Sequence, residues 1–119
     1  MVLAKKYRIK KRRDFENVFQ NGYSEKGKWM IIKAQKNKLN LSRFGFIVSN
    51  KIAKKAVIRN KIRRRLSEAI RLKLKEVKKG FDVIILALPG IEKINYKALE
   101  EDLMFLLTKI GILKKENPQ

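Results

Sequence analysis

Arginine and lysine dominate the side chains of this chain that could do chemistry. Residues 51–79 hold thirteen of them against two acids, Glu68 and Glu76. At the centre stands Arg59-Asn60-Lys61-Ile62-Arg63-Arg64-Arg65. Guanidinium groups grip phosphate oxygens in pairs, and ammonium groups attract them as point charges. The chemistry on offer is therefore phosphate recognition. An ordinary solvated helix face interleaves both signs at i, i+4. Around Arg63-Arg64-Arg65 acids are almost absent within one turn, and the resulting self-repulsion is relieved by a polyanion.

Catalysis by the protein itself has little to build on. There is no histidine and no cysteine among the 119 residues, so the commonest general base, metal ligand and thiol nucleophile are all missing. The acids cluster only at Glu100-Glu101-Asp102. Adjacent acids on a helix do not converge on one point, and near a helix N-terminus they have a structural role; all three are expected on the outer face. Asp14 and Glu16 are expected to make caps and ion pairs. No glycine-rich phosphate loop is present, and no nucleophile, base and orienting group come together. No metal ligands and no catalytic residues are expected.

The charge is uneven. Residues 1–50 carry 13 basic and 3 acidic side chains, residues 51–79 carry 13 and 2, and residues 80–119 carry 5 and 6, for a net +20. The binding surface is expected in the first two thirds. At 45% hydrophobic the chain can bury a core, and its length fits one domain over 1–119. No apolar run approaches a membrane span, and the charged segment after Lys5 and Lys6 lacks the apolar centre of a signal peptide. The expectation is a soluble cytoplasmic protein.

These groups need elements to hold them. Asp14 is placed to cap a short helix to Asn21, with Gly22 as its stop. Phe15, Val18 and Phe19 share one face of it. Residues 28–34 and 43–49 read as strands joined through a polar turn, 36–41, in an antiparallel hairpin. A basic connector leads to the main helix, 58–77. Ile58, Ile62, Leu66, Ala69 and Ile70 form its inner stripe. Asn60, Arg64, Ser67, Arg71 and Lys75 fall outside, with Lys61, Arg63 and Arg65 on the flanks. Lys78-Lys79-Gly80 is its expected end. Residues 81–88 are almost continuously apolar, as in a strand covered on both faces. Pro89-Gly90 breaks it, and Asn95 caps a last helix with Tyr96, Leu99, Leu103, Leu106, Leu107 and Ile110 inward. Residues 1–13 and 114–119 are expected to be flexible ends. The order is helix, two or three strands, helix, strand, helix: an α+β sandwich. Phe44 and Phe46 read as core. Phe15 and Phe19 fit core or a shallow groove equally well, where bases of a single strand could stack for about 1–3 kcal/mol each.

The segment Ala56-Val57-Ile58-Arg59-Asn60-Lys61-Ile62-Arg63-Arg64, with Glu68 and Arg71, resembles the "RNR" motif of the bacterial ribonuclease P protein subunit. Arg12-Arg13-Asp14-Phe15, Val18-Phe19 and Gly22 are similar to that family's first helix. Arg43-Phe44-Gly45-Phe46, Val48-Ser49 and Lys51 resemble the strand and connector before the motif, and Phe81-Asp82-Val83-Ile84 the strand after it. The resemblance implies an αβββαβα sandwich with a left-handed βαβ crossover. It implies a protein that joins a catalytic RNA, whose Mg²⁺-dependent hydrolysis removes the 5′ leader of precursor tRNA. The protein alone then holds no cofactor and needs no protein partner. Carried over by position, the RNA subunit would meet Lys51, Lys54, Lys55, Arg59, Asn60, Lys61, Arg63, Arg64 and Arg71. The leader would meet Lys11, Arg12, Phe15, Phe19, Lys33 and Ser49. Lys33 stands where many members have an aromatic residue, which favours a phosphate contact over stacking. Ala53 replaces a frequent glycine, and Arg65 replaces a frequent apolar residue and enlarges the basic face. The rival readings are a ribosomal or RNA-chaperone protein and, last, a stand-alone nuclease.

Overall fold

The computed structural model describes residues 3–114. Three helices and four strands follow in the order α1 (Arg12–Asn21), β1 (Tyr23–Lys26), β2 (Met30–Lys36), β3 (Arg43–Ile47), α2 (Ala56–Lys73), β4 (Phe81–Ala87) and α3 (Tyr96–Ile110). This is the expected αβββαβα order. The strand that sequence reading did not locate is β1: its Tyr-Ser-Glu-Lys is mostly exposed and has no apolar alternation to betray it.

The sheet runs β1-β2-β4-β3. The expected hairpin between residues 28–34 and 43–49 does not form. Instead β4 lies between them, antiparallel to β2 from Met30↔Ala87 to Lys36↔Phe81 and parallel to β3 from Arg43↔Asp82 to Ile47↔Leu86. The cause is burial. β4 has its first five residues buried in a row, so it needs cover on both faces and strands on both edges. The hairpin that does form is β1–β2. The unit β3–α2–β4 is a parallel βαβ crossover.

α2 and α3 cover one face of the sheet, and α1 covers the other. Ile62, Leu66, Ala69 and Ile70 of α2 pack with Leu99, Leu103, Leu106 and Leu107 of α3 over Ile32, Phe44, Val83 and Ile85. Ile84 points the opposite way, to Val18 of α1 and to Ile9. Phe44 is fully buried, and burial of a side chain of this kind stabilises by about 1.5–3 kcal/mol.

Local expectations change at several places. Ile58 is exposed, because α2 starts two residues early and its first turn overhangs the sheet. Ser67, expected outside, is buried: its Oγ accepts the Leu3 N–H at 2.9 Å. α2 stops at Lys73, followed by a 3-10 turn at Leu74–Glu76. Val77 is drawn out of the helical path into a bridge with Leu113, and the Lys78 N–H donates to Ile112 O at 2.8 Å. Gly80, at φ +90°, turns the chain into β4 and does not end the helix. Asp14 does not cap α1; it lies in the first turn and pairs with Arg43 at 3.5 Å. Asp102 is buried, not outside: its carboxylate accepts the backbone N–H groups of Lys28 (3.0 Å) and Trp29 (2.9 Å). Asn95 does cap α3, accepting the Ala98 N–H at 2.9 Å.

The N-terminal segment is packed, where a flexible end was expected. Leu3 and Ile9 are buried, a 3-10 turn occupies Lys5–Tyr7, and Arg8 bridges Phe44 on the free edge of β3. Residues 3–9 thus form a strap between α2 and β3. Of the expected C-terminal tail, residues 115–119 lie outside the described residues.

Candidate nucleic-acid interface

The free edge of β3 has α1 on one side of the sheet and α2 on the other. Along that edge runs a hollow of about 590 Å³, lined among others by Arg8, Phe15, Gly45, Asn60, Arg63 and Arg64. Its aromatic wall depends on one glycine. A Cβ placed on Gly45 would stand 2.5 Å from Cε1 of Phe15, so the ring packs closely against bare backbone. Phe15 is half-buried, as a partly stacked ring should be. Val18 is the core residue of α1; Phe15 packs against that core and also lines the hollow, while Phe19 is exposed and lies outside the lining.

Phe19 is 37% exposed. Lys33 Nζ sits 5.4 Å from the centre of its ring, a cation–π contact that holds a positive charge over the aromatic face. Lys11 and Arg12 are exposed at the N-terminus of α1, and Arg12 pairs with Glu16 at 3.0 Å. Ser49 is exposed just beyond β3. Arg43 fastens α1 to the sheet: it donates to both oxygens of Asp82 at 2.9 and 2.6 Å and also reaches Asp14. Its hydrogen bond to Asp82 raises the guanidinium pKa above its ordinary value.

The basic side chains of α2 are not equivalent. Arg59 folds back and donates to the carbonyls of Ala53 (2.9 Å) and Lys54 (2.7 Å), clamping the connector. Arg63 donates to Asn60 Oδ1, which fixes both at the rim of the hollow. Arg64 is exposed and makes no hydrogen bond or ion pair among the described residues. Lys51, Lys54, Lys55 and Lys61 are exposed. Arg65 turns to the other flank, 3.5 Å from Ile94 O. The first turn of α2 has no side-chain cap, so its N–H groups and nearby cations present two complementary features to an anion. Arg71 is set apart from the others. It lies two turns beyond Arg64 and pairs with Glu68 at 2.5 and 3.0 Å, which holds the Glu68 carboxyl below its usual range.

Two residues of the hollow escaped sequence reading. Arg8 contributes an Nε that is buried without a partner among the described residues, and nothing local in its sequence marked it. Gly45 was quoted only as part of a motif; the aromatic residues on either side of it were the available signal. Among the described residues no group of His, Cys, Asp or Glu could hold a metal ion, and no helix is long and apolar enough to cross a membrane.

The family model for ribonuclease P matches residues 3–111. A curated relative named ribonuclease P protein component, from Syntrophomonas wolfei, is 37% identical over 96% of this chain and 95% of its own length. One of the same name from Fusobacterium nucleatum is 40% identical over 80% of this chain and 88% of its own. Among solved structures, a Staphylococcus aureus RNase P protein mutant with defective mRNA degradation activity superimposes with a TM-score of 0.86 at 27% identity, covering 92% of both chains. The RNase P protein from Thermotoga maritima gives 0.79 at 29% identity, covering 86% of this chain and 96% of that one.

Proposed function

This chain belongs to the ribonuclease P protein family, and from that membership we propose how its residues serve the removal of 5′ leaders from precursor tRNA. The family's protein is a subunit of a ribonucleoprotein endonuclease whose RNA is the catalyst. The observation that carries the assignment of residues is the hollow along β3, whose lining brings together Arg8, Arg63, Arg64 and the ring of Phe15.

Phosphates of the RNA subunit are met by the exposed end of α2 and its connector: Lys51, Lys54, Lys55, Lys61 and Arg64, with Asn60 and Arg63 as a pre-set pair. Arg59 acts through the connector by holding its carbonyls. The leader, a single strand, runs over α1 and the adjoining sheet face. Phe15 and Phe19 give it apolar surfaces for stacking; Lys11, Arg12 and Lys33 attract its backbone, and Ser49 offers a hydroxyl at the rim. A phosphate oxygen reaching the floor of the hollow gives the Arg8 Nε the acceptor it lacks. Because Phe15 and Arg64 line one hollow, the two RNAs lie against each other there, and the protein adds positive charge where both backbones converge. That arrangement favours Mg²⁺ sites in the RNA by screening phosphate repulsion, with no metal ligand from the protein. The expected location is the cytoplasm, where precursor tRNA is made.

Reconstitution tests the reading. Purified protein added to the catalytic RNA should raise cleavage of precursor tRNA at low Mg²⁺. A general RNA-binding protein of equal charge would bind without that effect, and unchanged cleavage would refute the proposal.

A further inference from the structure

A second hollow, of about 580 Å³, lies at the opposite end of α2 and is lined by six cations: Lys6, Arg71, Lys75, Lys78, Lys79 and Lys114. No acid lines it. Glu68 is engaged by Arg71, and Glu76 is exposed on the turn that follows α2. Cations at a helix C-terminus have an ordinary role against the helix dipole, but that role needs one or two, and here they come from four separate segments.

The backbone beneath them is held firmly. Ser42 Oγ donates to Lys78 O at 2.5 Å and accepts the Phe81 N–H at 3.0 Å. Lys78 N–H reaches Ile112 O, and Lys114 N–H reaches Glu76 O at 2.7 Å. Tyr7, Leu74 and Val77 supply the floor. The lysines are thus mounted on fixed backbone in an array that repels itself until an anion enters.

The two hollows share one stripe of α2. Asn60, Arg64 and Ser67 line or border the first, and Arg71, Leu74 and Lys75 the second, in steps of three and four residues. From Asn60 to Lys75 the helix rises about 22 Å. The N-terminal strap divides the stripe, with Tyr7 facing one hollow and Arg8 the other.

We propose that this second hollow is a phosphate-backbone site for the catalytic RNA, so that the RNA subunit is held at both ends of α2. This rests on the family reading above. The occupant is a folded RNA and not the leader: six cations dominate the lining, the half-buried ring of Tyr7 is met by Lys6 Nζ at 5.1 Å, and duplexes are recognised chiefly through backbone and shape. Nor does Phe15 or Phe19 line it.

The test is a titration of the catalytic RNA with full-length protein at 50–200 mM salt. The Lys75→Gln/Lys78→Gln/Lys79→Gln variant is compared with wild type and with a control, Lys28→Gln/Lys97→Gln/Lys109→Gln, on the hairpin and α3. Three lost phosphate contacts should lower the slope of log K against log salt by about 2.7, equal to about 40-fold less change over that range. A Lys→Arg triple at 75, 78 and 79 should restore wild-type binding, and it reads the site even if the Gln variant melts early. Unchanged affinity and slope would overturn the proposal, as would an equal loss in the control, which would mean net charge alone. A loss confined to precursor tRNA binding by the assembled holoenzyme would reassign the site to substrate and overturn it too. Failure of wild type to bind the catalytic RNA would refute the family role itself, and is visible separately.

Discussion

α2 and α3 pack on the same face of the same sheet, yet they are built for different ends. α3 closes both its termini from its own sequence. Asn95 caps the start, and Gly111, at φ +85°, caps the end with its N–H directed to Leu107 O and Thr108 O. Its buried acid, Asp102, ties it to the β1–β2 turn. α2 has no side-chain cap at its start and slides into a 3-10 turn at its finish. Its inner face is as well packed as that of α3, so packing alone keeps it helical. The difference separates a helix finished by its own sequence from one whose first N–H groups and outer cations stay open to a partner, which the RNA contact proposed above would complete.

That contrast can be broken most forcefully at Asp102. Asp102→Ala strands two backbone donors, and loss of charge-assisted bonds of this kind costs about 1.5–3 kcal/mol each. Denaturant unfolding should show a loss near 3 kcal/mol or more, while the salt slope for RNA binding by the folded fraction stays at the wild-type value. A change in that slope would mean that the α3 side also meets RNA. On the opposite side, Phe15→Ala should weaken leader-bearing substrate by about 1–3 kcal/mol, the worth of one stacked base, with mature tRNA nearly unaffected; equal losses would make Phe15 a structural residue only. Arg64→Ala should reduce RNA-subunit affinity several-fold and lower the salt slope by about 0.9, with melting unchanged. Identical affinity would remove Arg64 from the interface.

The smallest effect belongs to Glu68. Its folded pKa is depressed by Arg71, so its contribution to stability is present above the ordinary carboxylate range and fades as pH falls through the lower folded value. Wild type and Glu68→Gln should therefore differ slightly in stability at pH 7 and converge at strongly acidic pH. At pH 7 the same change frees Arg71 and should tighten RNA-subunit binding by about twofold or less, as expected of an exposed pair. Weaker binding would instead show that Glu68 orients Arg71 for its contact.

Much of this was legible because it is local. The inner stripe Ile62, Leu66, Ala69, Ile70 follows from helical spacing, the Asn95 cap from chemistry at one position, and β4 from an apolar run interrupted only by Asp82. What stayed hidden depends on partners far along the chain. Ser67 looked external because Leu3, which covers it, is 64 residues away. Asp102 sat among acids that do face outward, and only its reach to Lys28 and Trp29 turns it inward. The hairpin error has the same origin: β2 and β3 are neighbours in sequence, and the strand between them comes later. The motif resemblance implied an RNA-facing role for α2, and it kept Phe15 apart from Arg64, which the fold brings to one hollow.

The late position of β4 has a consequence for how the molecule is born. The strand at the middle of the sheet is the last to be synthesised, at Phe81–Ala87. Until the ribosome has passed it, β2 and β3 have no common neighbour, and the chain already made carries 26 of its 31 cations. A product truncated before β4 therefore has most of the positive charge of the full chain without the sheet that arranges it. The platform under the basic helix is complete only once the central strand lies between its two flanks and α3, made later still, closes the core against α2.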